Sequence, residues 1–263
     1  MAEDIRIPFY PFFILLSSIL RLPEETTMLA SIYYHKYYRW LEKVNEDNLL
    51  RLLDDYTLAI ASLSLASKAT EQFRRMREFL IPAYSILNPT KPRLTFPSEI
   101  YDSLRDSIVN AELLLLRIVK FDLRIILPFS YLEKALNLTL TTWEAEITES
   151  TLHRDACLMN TALGRYARCC IMDAMSDYRL STLYDPQTLS SACLWYVLRD
   201  FKIFPEEKFI PWVISVTGNT QIREDIQDAV DDLIQLDLKR CVRRGSSDLQ
   251  MNISKRQYYD IQD

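Results

Sequence analysis

Few residues in this chain have types and spacings that could do chemistry. Two histidines, His35 and His153, lie far apart, and neither has the neighbours that a general base or a metal ligand needs. Five cysteines (Cys157, Cys169, Cys170, Cys193 and Cys241) form an odd set in the second half with no metal spacing. They stand mostly amid apolar residues, which points to buried thiols in a reducing compartment. No phosphate-binding glycine loop, G-x-S-x-G, H-E-x-x-H or C-x-x-C occurs. The acid pairs Asp54-Asp55 and Asp231-Asp232 read as solvated helix faces. What remains is a lone cation and a lone acid. Lys68 ends the small-residue stretch LASK, and Glu112 is set between Ile108-Val109 and the run Leu113 to Leu116. An acid beside that much apolar surface wants a partner, and a lysine on a neighbouring helix would serve. Lys68 also has a plainer role, as a cation in the last turn of a helix. Either way the chemistry is recognition. No cofactor, metal or catalytic residue is expected.

The elements that would position these two are helical. Apolar residues make up 49% of 263 and charged ones 25%, enough for a core and one or two domains. Three glycines in the whole chain argue against hairpin arrays and flexible linkers. The net charge of -5 offers no general attraction to nucleic acid or acidic membrane.

Behind Pro23, apolar positions recur at three-and-four spacing from Glu24 to about Val44. Further helices are expected over Asp47 to Lys68, over Gln72 to about Ile86 with Pro82 kinking or ending it, and over Ser98 to Val119. The proline-rich NPTKPRLTFP, Asn88 to Pro97, must be a loop. After Pro128, Leu152 to Cys170 carry a helical pattern, Asp185-Pro186 opens a helix reaching about Arg199, and a last helix runs from about Gln221 to Lys239. The apolar run Ile5 to Leu20 follows acids and holds Pro8 and Pro11, so it reads as a helix on the core, not as a leader or anchor. That points to an intracellular protein, nuclear or cytoplasmic.

The halves echo each other. TLAIASL at Thr57 to Leu63 and TLSSACL at Thr188 to Leu194 share one pattern, which places Lys68 and Arg199 at equivalent positions.

Read together, several stretches resemble the cyclin family, of the transcription type. L-A-S-K-x-x-E at Leu65 to Glu71 and A-E-L-L-L-L-R-I-V-K-F-D-L at Ala111 to Leu123 are similar to the cyclin box. LPEETTMLASIYYHKYY at Leu22 to Tyr38 resembles its first long helix, and the stretch ARCCIMDAMSDYRLSTLYDPQTLSSACLWYVL resembles a second box. Within the family, IYYHKYY, SILNPTKP, SLRDSIVNAELLLLR and DAVDDLIQLD are most similar to the cyclin Q branch. Thr70-Glu71 departs from the usual pair of glutamates after the box lysine, and Trp212-Val213 from a tryptophan pair.

The resemblance implies an all-α protein with two tandem five-helix cyclin boxes and an additional N-terminal helix. Residues 1–126 would form the first box, 127–240 the second and 241–263 a polar tail. It implies a non-catalytic subunit that forms a heterodimer with a cyclin-dependent kinase, one like cyclin-dependent kinase 10, and activates it by positioning its αC helix. Lys68 and Glu112 would pair to hold the kinase backbone, with Glu71, Leu65, Ala69, Leu116, Phe121 and Leu123 beside them. Substrate docking by a patch on the first helix is not carried over, since Pro8, Pro11 and Phe12 break that motif. The run Leu238 to Arg244 reads as the end of a helix with solvated arginines, in preference to a nuclear-import signal. The alternative is a cyclin-fold adaptor or transcription factor without a kinase. It would call for a basic face and a cysteine-rich ribbon near the N-terminus, where this chain is acidic and its first cysteine is Cys157. Neither a membrane nor direct nucleic-acid contact is expected.

Overall fold

The structure is a computed structural model that describes residues 9–44, 53–143, 158–219 and 221–244, with 9, 158 and 239–244 described by backbone alone. Every regular element among them is helical. The expectation of an all-α protein is met. Contacts divide the chain into two units, Met1–Leu127 and Pro128–Asp263.

Among its described residues the first unit holds five helices: α1 (Phe9–Ile19), α2 (Glu24–Val44), α3 (Asp55–Ala69), α4 (Met76–Leu87) and α5 (Glu99–Ile118). Helix α3 is its axis, packed on α2 and α5. Every residue from Leu58 to Ser67 is buried, because small and apolar types stand on all its faces. Of its serines, Ser67 is satisfied by donating its Oγ back to the Ser64 carbonyl at 2.8 Å, whereas Ser62 Oγ is buried without a partner. Helix α1 starts with Pro11 in its first turn, where the missing N–H does no harm, and buries Phe12, Phe13 and Leu16 in this core.

Two boundaries differ from the sequence reading. Helix α3 begins at Asp55, not Asp47, because Asp54 is an N-cap: its Oδ1 accepts from the backbone N–H groups of Tyr56 and Thr57 at 3.1 and 3.0 Å. The pair Asp54-Asp55 is a helix start, not a solvated helix face. Helix α4 runs through Pro82 without ending, starting at Met76 behind Arg75, whose N–H reaches the Glu78 carboxylate at 3.0 Å.

The second unit contains α6 (Pro128–Thr142), α7 (Ala162–Ala174), α8 (Tyr178–Leu183), α9 (Pro186–Asp200), α10 (Phe209–Thr217) and α11 (Arg223–Arg244), with short 3₁₀ turns before α7 and α10. Helix α9 is the axis here, packed on α6, α7 and α11. Leu152, Ala156, His153, Cys157 and the tail beyond Arg244 lie outside the described residues. Of the cysteines, Cys193 is buried and Cys169 and Cys170 are half-buried. Asp232 is not merely solvated. It is half-buried, and its Oδ2 takes Arg179 Nε at 3.1 Å and Tyr184 OH at 2.8 Å, tying α8 to α11.

Candidate functional site: a cation–acid pair across α3 and α5

Lys68 lies in the last turn of α3 and Glu112 in the last two turns of α5. Their packed helices bring Lys68 Nζ to 2.5 Å from Glu112 Oε2. The two ends of this bond sit in different media. The Glu112 side chain is 9% exposed, between the buried Ile108, Ala111 and Leu115, while the Lys68 side chain is 46% exposed. Glu112 Oε1 is buried and accepts no hydrogen bond. The site is therefore a fixed, charge-assisted pair with acceptor and donor capacity left over. Such a pair can bind the N–H and C=O groups of a docked backbone. It can also answer for Glu112's burial alone, because a buried carboxylate without a partner is costly.

The backbone around the pair is held in a conformation that non-glycine residues rarely adopt. Past α3, Glu71 has φ 59°, and past α5, Lys120 and Phe121 have φ 56° and 59°. Both ends are Schellman closures. Gln72 N–H reaches the Ser67 carbonyl at 2.8 Å and Glu71 N–H the Lys68 carbonyl at 3.3 Å; Phe121 N–H reaches the Leu116 carbonyl at 2.9 Å and Lys120 N–H the Arg117 carbonyl at 3.0 Å. A left-handed non-glycine residue costs about 1–2 kcal/mol. Surroundings that over-determine the turn sustain that cost. At α3 these are Thr70 Oγ1, which donates to the Ala66 carbonyl at 2.9 Å and lies 2.8 Å from the buried Thr26 Oγ1 of α2, and Arg74 Nε, which donates to the Leu20 carbonyl at 3.3 Å. At α5, Tyr33 OH donates to the Leu123 carbonyl at 3.4 Å.

The remaining residues expected at a partner surface divide. Phe121 is 70% exposed, carried outward by its turn, and Glu71 is exposed. Ala69, Leu116 and Leu123 are half-buried. Leu65 is a correction: at 3% exposed it is packed in the core of its own unit and has no surface to offer. Sequence reasoning passed over Leu113 and Phe73, which are 49% and 69% exposed. Helical periodicity held the signal for Leu113, since a helix that buries Ile108, Ala111, Glu112 and Leu115 must turn position 113 outward. No helix among the described residues is long and apolar enough to cross a membrane.

Comparison with known proteins bears on the fold. Residues 1–124 match the family model described as cyclin, N-terminal domain. Two curated relatives from Arabidopsis thaliana, Cyclin-T1-4 and Cyclin-T1-5, are each 25% identical over 120 residues, or 44% of this chain. The match spans about a fifth of their own length, 21% and 20%. The chain also shares the fold of one in the crystal structure of the yeast RNA Pol II CTD kinase CTDK-1 complex, with a TM-score of 0.55 at 14% identity over 90% of this chain and 74% of that one. The fold is thus the cyclin fold.

Proposed function

We propose that this chain is a transcription-type cyclin, a non-catalytic subunit that binds a cyclin-dependent kinase and activates it. The observation that carries the reading is the Lys68–Glu112 pair, a half-exposed ammonium locked at 2.5 Å on a buried carboxylate. The match to a cyclin N-terminal domain and the fold shared with a chain of a kinase complex support it.

In this reading the docked element is the backbone beside the kinase αC helix. Lys68 donates to its carbonyls, Glu112 accepts from its N–H groups after a small rotation of the carboxylate, and Phe121, Leu113 and Leu116 supply apolar contact. Glu71, Ala69 and Leu123 complete the rim. Holding αC inward lets its glutamate meet the kinase lysine that aligns ATP phosphates. The cyclin performs no chemical step. To move a kinase from 1:99 to 99:1 active, it must favour the active state by about 5.5 kcal/mol. The finer assignment is the cyclin Q branch with a kinase like cyclin-dependent kinase 10, acting in transcription or cell-cycle control from the nucleus or cytoplasm. It rests on the stretches IYYHKYY and SLRDSIVNAELLLLR.

The test is affinity purification of the tagged chain from cells, followed by identification of the bound kinase and assay of its activity. A cyclin-dependent kinase should co-purify in active form with wild type and be lost from a folded Lys68→Ala, Glu112→Ala double variant. Recovery of no kinase, or equal recovery by the variant, would overturn the proposal.

A further inference from the structure

The turn that carries Phe121 outward is also where cations gather. Lys120 precedes Phe121, with its backbone N–H on the Arg117 carbonyl at 3.0 Å. Asp122 follows, and its Oδ1 accepts from the Arg124 backbone N–H at 3.1 Å. Helix α2 adds two more cations. Tyr33 OH, on the Leu123 carbonyl at 3.4 Å, holds α2 against this turn, and Lys36 and Arg39 lie one and two turns further along it. Lys36 is half-buried. Burial first holds its ammonium below the usual range; the Asp122 charge opposes that shift and the Arg39 charge adds to it, so all three stand within reach of one another.

Lys36, Arg39, Arg117, Lys120 and Arg124 thus gather about a single carboxylate, and all but Lys36 are exposed. None of the five forms an ion pair among the described residues. The next acid on these elements is Glu42, exposed one turn past Arg39. The other acids of the site stand elsewhere, Glu112 held by Lys68 and Glu71 past the end of α3. Five cations against two carboxylates leave a positive surplus, on a chain whose net charge is -5. Like charges gathered without internal partners repel one another in the free chain, and an opposite surface relieves that repulsion. The surplus shares its turn with Phe121, which is 70% exposed, so the surface that covers the ring also meets the cations.

We infer that this patch receives an acidic strip of the partner kinase, next to the element docked on the Lys68–Glu112 pair, and steers the two proteins together. The inference rests on the kinase reading and adds to it the charge of the partner's face and the residues that select it. A nucleic acid would bring its own charge against a chain that is acidic as a whole, whereas a protein can present an acidic strip to the patch alone. Exposed cations act on encounter, so the patch sets the rate of association and its salt dependence. The largely buried pair sets the rate of release.

The experiment is stopped-flow association of the full chain with the kinase that co-purifies with it, at about 50 and about 300 mM salt. The test variant reverses three exposed cations, Arg39→Glu, Lys120→Glu and Arg124→Glu, and its folding is checked by circular dichroism. The control reverses three others, Lys91→Glu, Arg93→Glu and Arg105→Glu, for the same change in net charge; Arg105 and Arg117 are about 18 Å apart along α5. At low salt the test variant should associate about tenfold more slowly than wild type and the control near the wild-type rate. High salt should close most of the gap, and the release rate should stay near wild type throughout. Equal association by wild type and the test variant, or equal slowing by test and control, overturns the inference and leaves the kinase reading standing. Failure of wild type to bind any kinase overturns both. A wild-type chain that binds a labelled single-stranded RNA through these cations, while kinase association ignores them, also overturns the inference.

Discussion

Helices α3 and α9 are both fifteen residues long, begin behind an aspartate N-cap and end in a left-handed charged residue, each landmark 131 positions on: Asp54 and Asp185, Glu71 and Lys202. Ile203 N–H closes the second end on the Leu198 carbonyl at 3.0 Å, as Gln72 closes the first on Ser67. Lys68 and Arg199 hold the same place in this frame. What they do differs. Lys68 crosses to Glu112 of α5. Arg199 stays on its own helix, its guanidinium 5.7 Å from the Tyr196 ring centroid. In the second unit Asp237, one of several acids on the final helix, is taken by Tyr196 OH. Burial first, and that carboxylate second, push the Tyr196 phenol well above its usual range. One scaffold therefore supports two endings. In the second unit Asp237 meets a neutral donor and Asp232 is met by Arg179 and Tyr184, whereas in the first the Lys68–Glu112 pair keeps a buried carboxylate oxygen that accepts no hydrogen bond. On the proposed function, the surface for a partner lies in the first unit.

The sharpest way to break the comparison is to remove each cation. Lys68→Ala strands a buried carboxylate and should destabilise the chain by about 1–3 kcal/mol, since the ammonium's partial exposure softens the full cost of a broken buried pair. Arg199→Ala loses only a ring contact, worth about 0.5–1 kcal/mol. Urea melts of the two variants would measure this, and equal losses would dissolve the distinction. Next in size, Tyr196→Phe removes the donor to Asp237 and should cost about 1–2 kcal/mol by the same measurement. Lys202→Gly should act the other way. It relieves the left-handed residue and should raise stability by about 0.5–1 kcal/mol, net of the glycine's greater freedom when unfolded.

The smallest effect is in alkali. Tyr33 of the first unit is pushed up to about 12, by burial first and the Asp122 charge second. Its neutral form is the one that the fold prefers. Its contribution to stability is therefore whole below about pH 10, the unfolded value, and is lost as pH climbs from there towards 12. A Tyr33→Phe variant, compared with wild type in melts across that window, should lose less stability with rising pH.

How much of this could be seen in the chain alone depended on which signal each element carries. Helix α2 was legible to its ends, because Pro23 and a long three-and-four pattern mark it. Asp185-Pro186 marked α9 as clearly. Helices α6, α8 and α10 were missed for physical reasons. Helix α6 carries three threonines, which favour helices weakly, and its Pro128 was taken for a boundary when it is the first helical residue. Helix α8 has six residues, too few for a period. Helix α10 is nine mostly apolar residues with Pro211 in its first turn, a run that periodicity cannot assign. At the site, residue types pointed to Lys68 and Glu112 but could not rank their neighbours. Leu65 and Phe121 are both apolar, and only the packing of α3 and the two left-handed residues after α5 send one inward and the other out.

The central claim is that the first unit's pair, and not its counterpart in the second, docks and activates a kinase. The most direct measurement is activation of the purified partner kinase by increasing amounts of wild type, Arg199→Ala and the folded Lys68→Ala, Glu112→Ala variant. Wild type and Arg199→Ala should raise phosphorylation along one curve while the double variant leaves the kinase near its basal rate. A double variant that activates as well as wild type, or an Arg199→Ala variant that fails alongside it, would contradict the account.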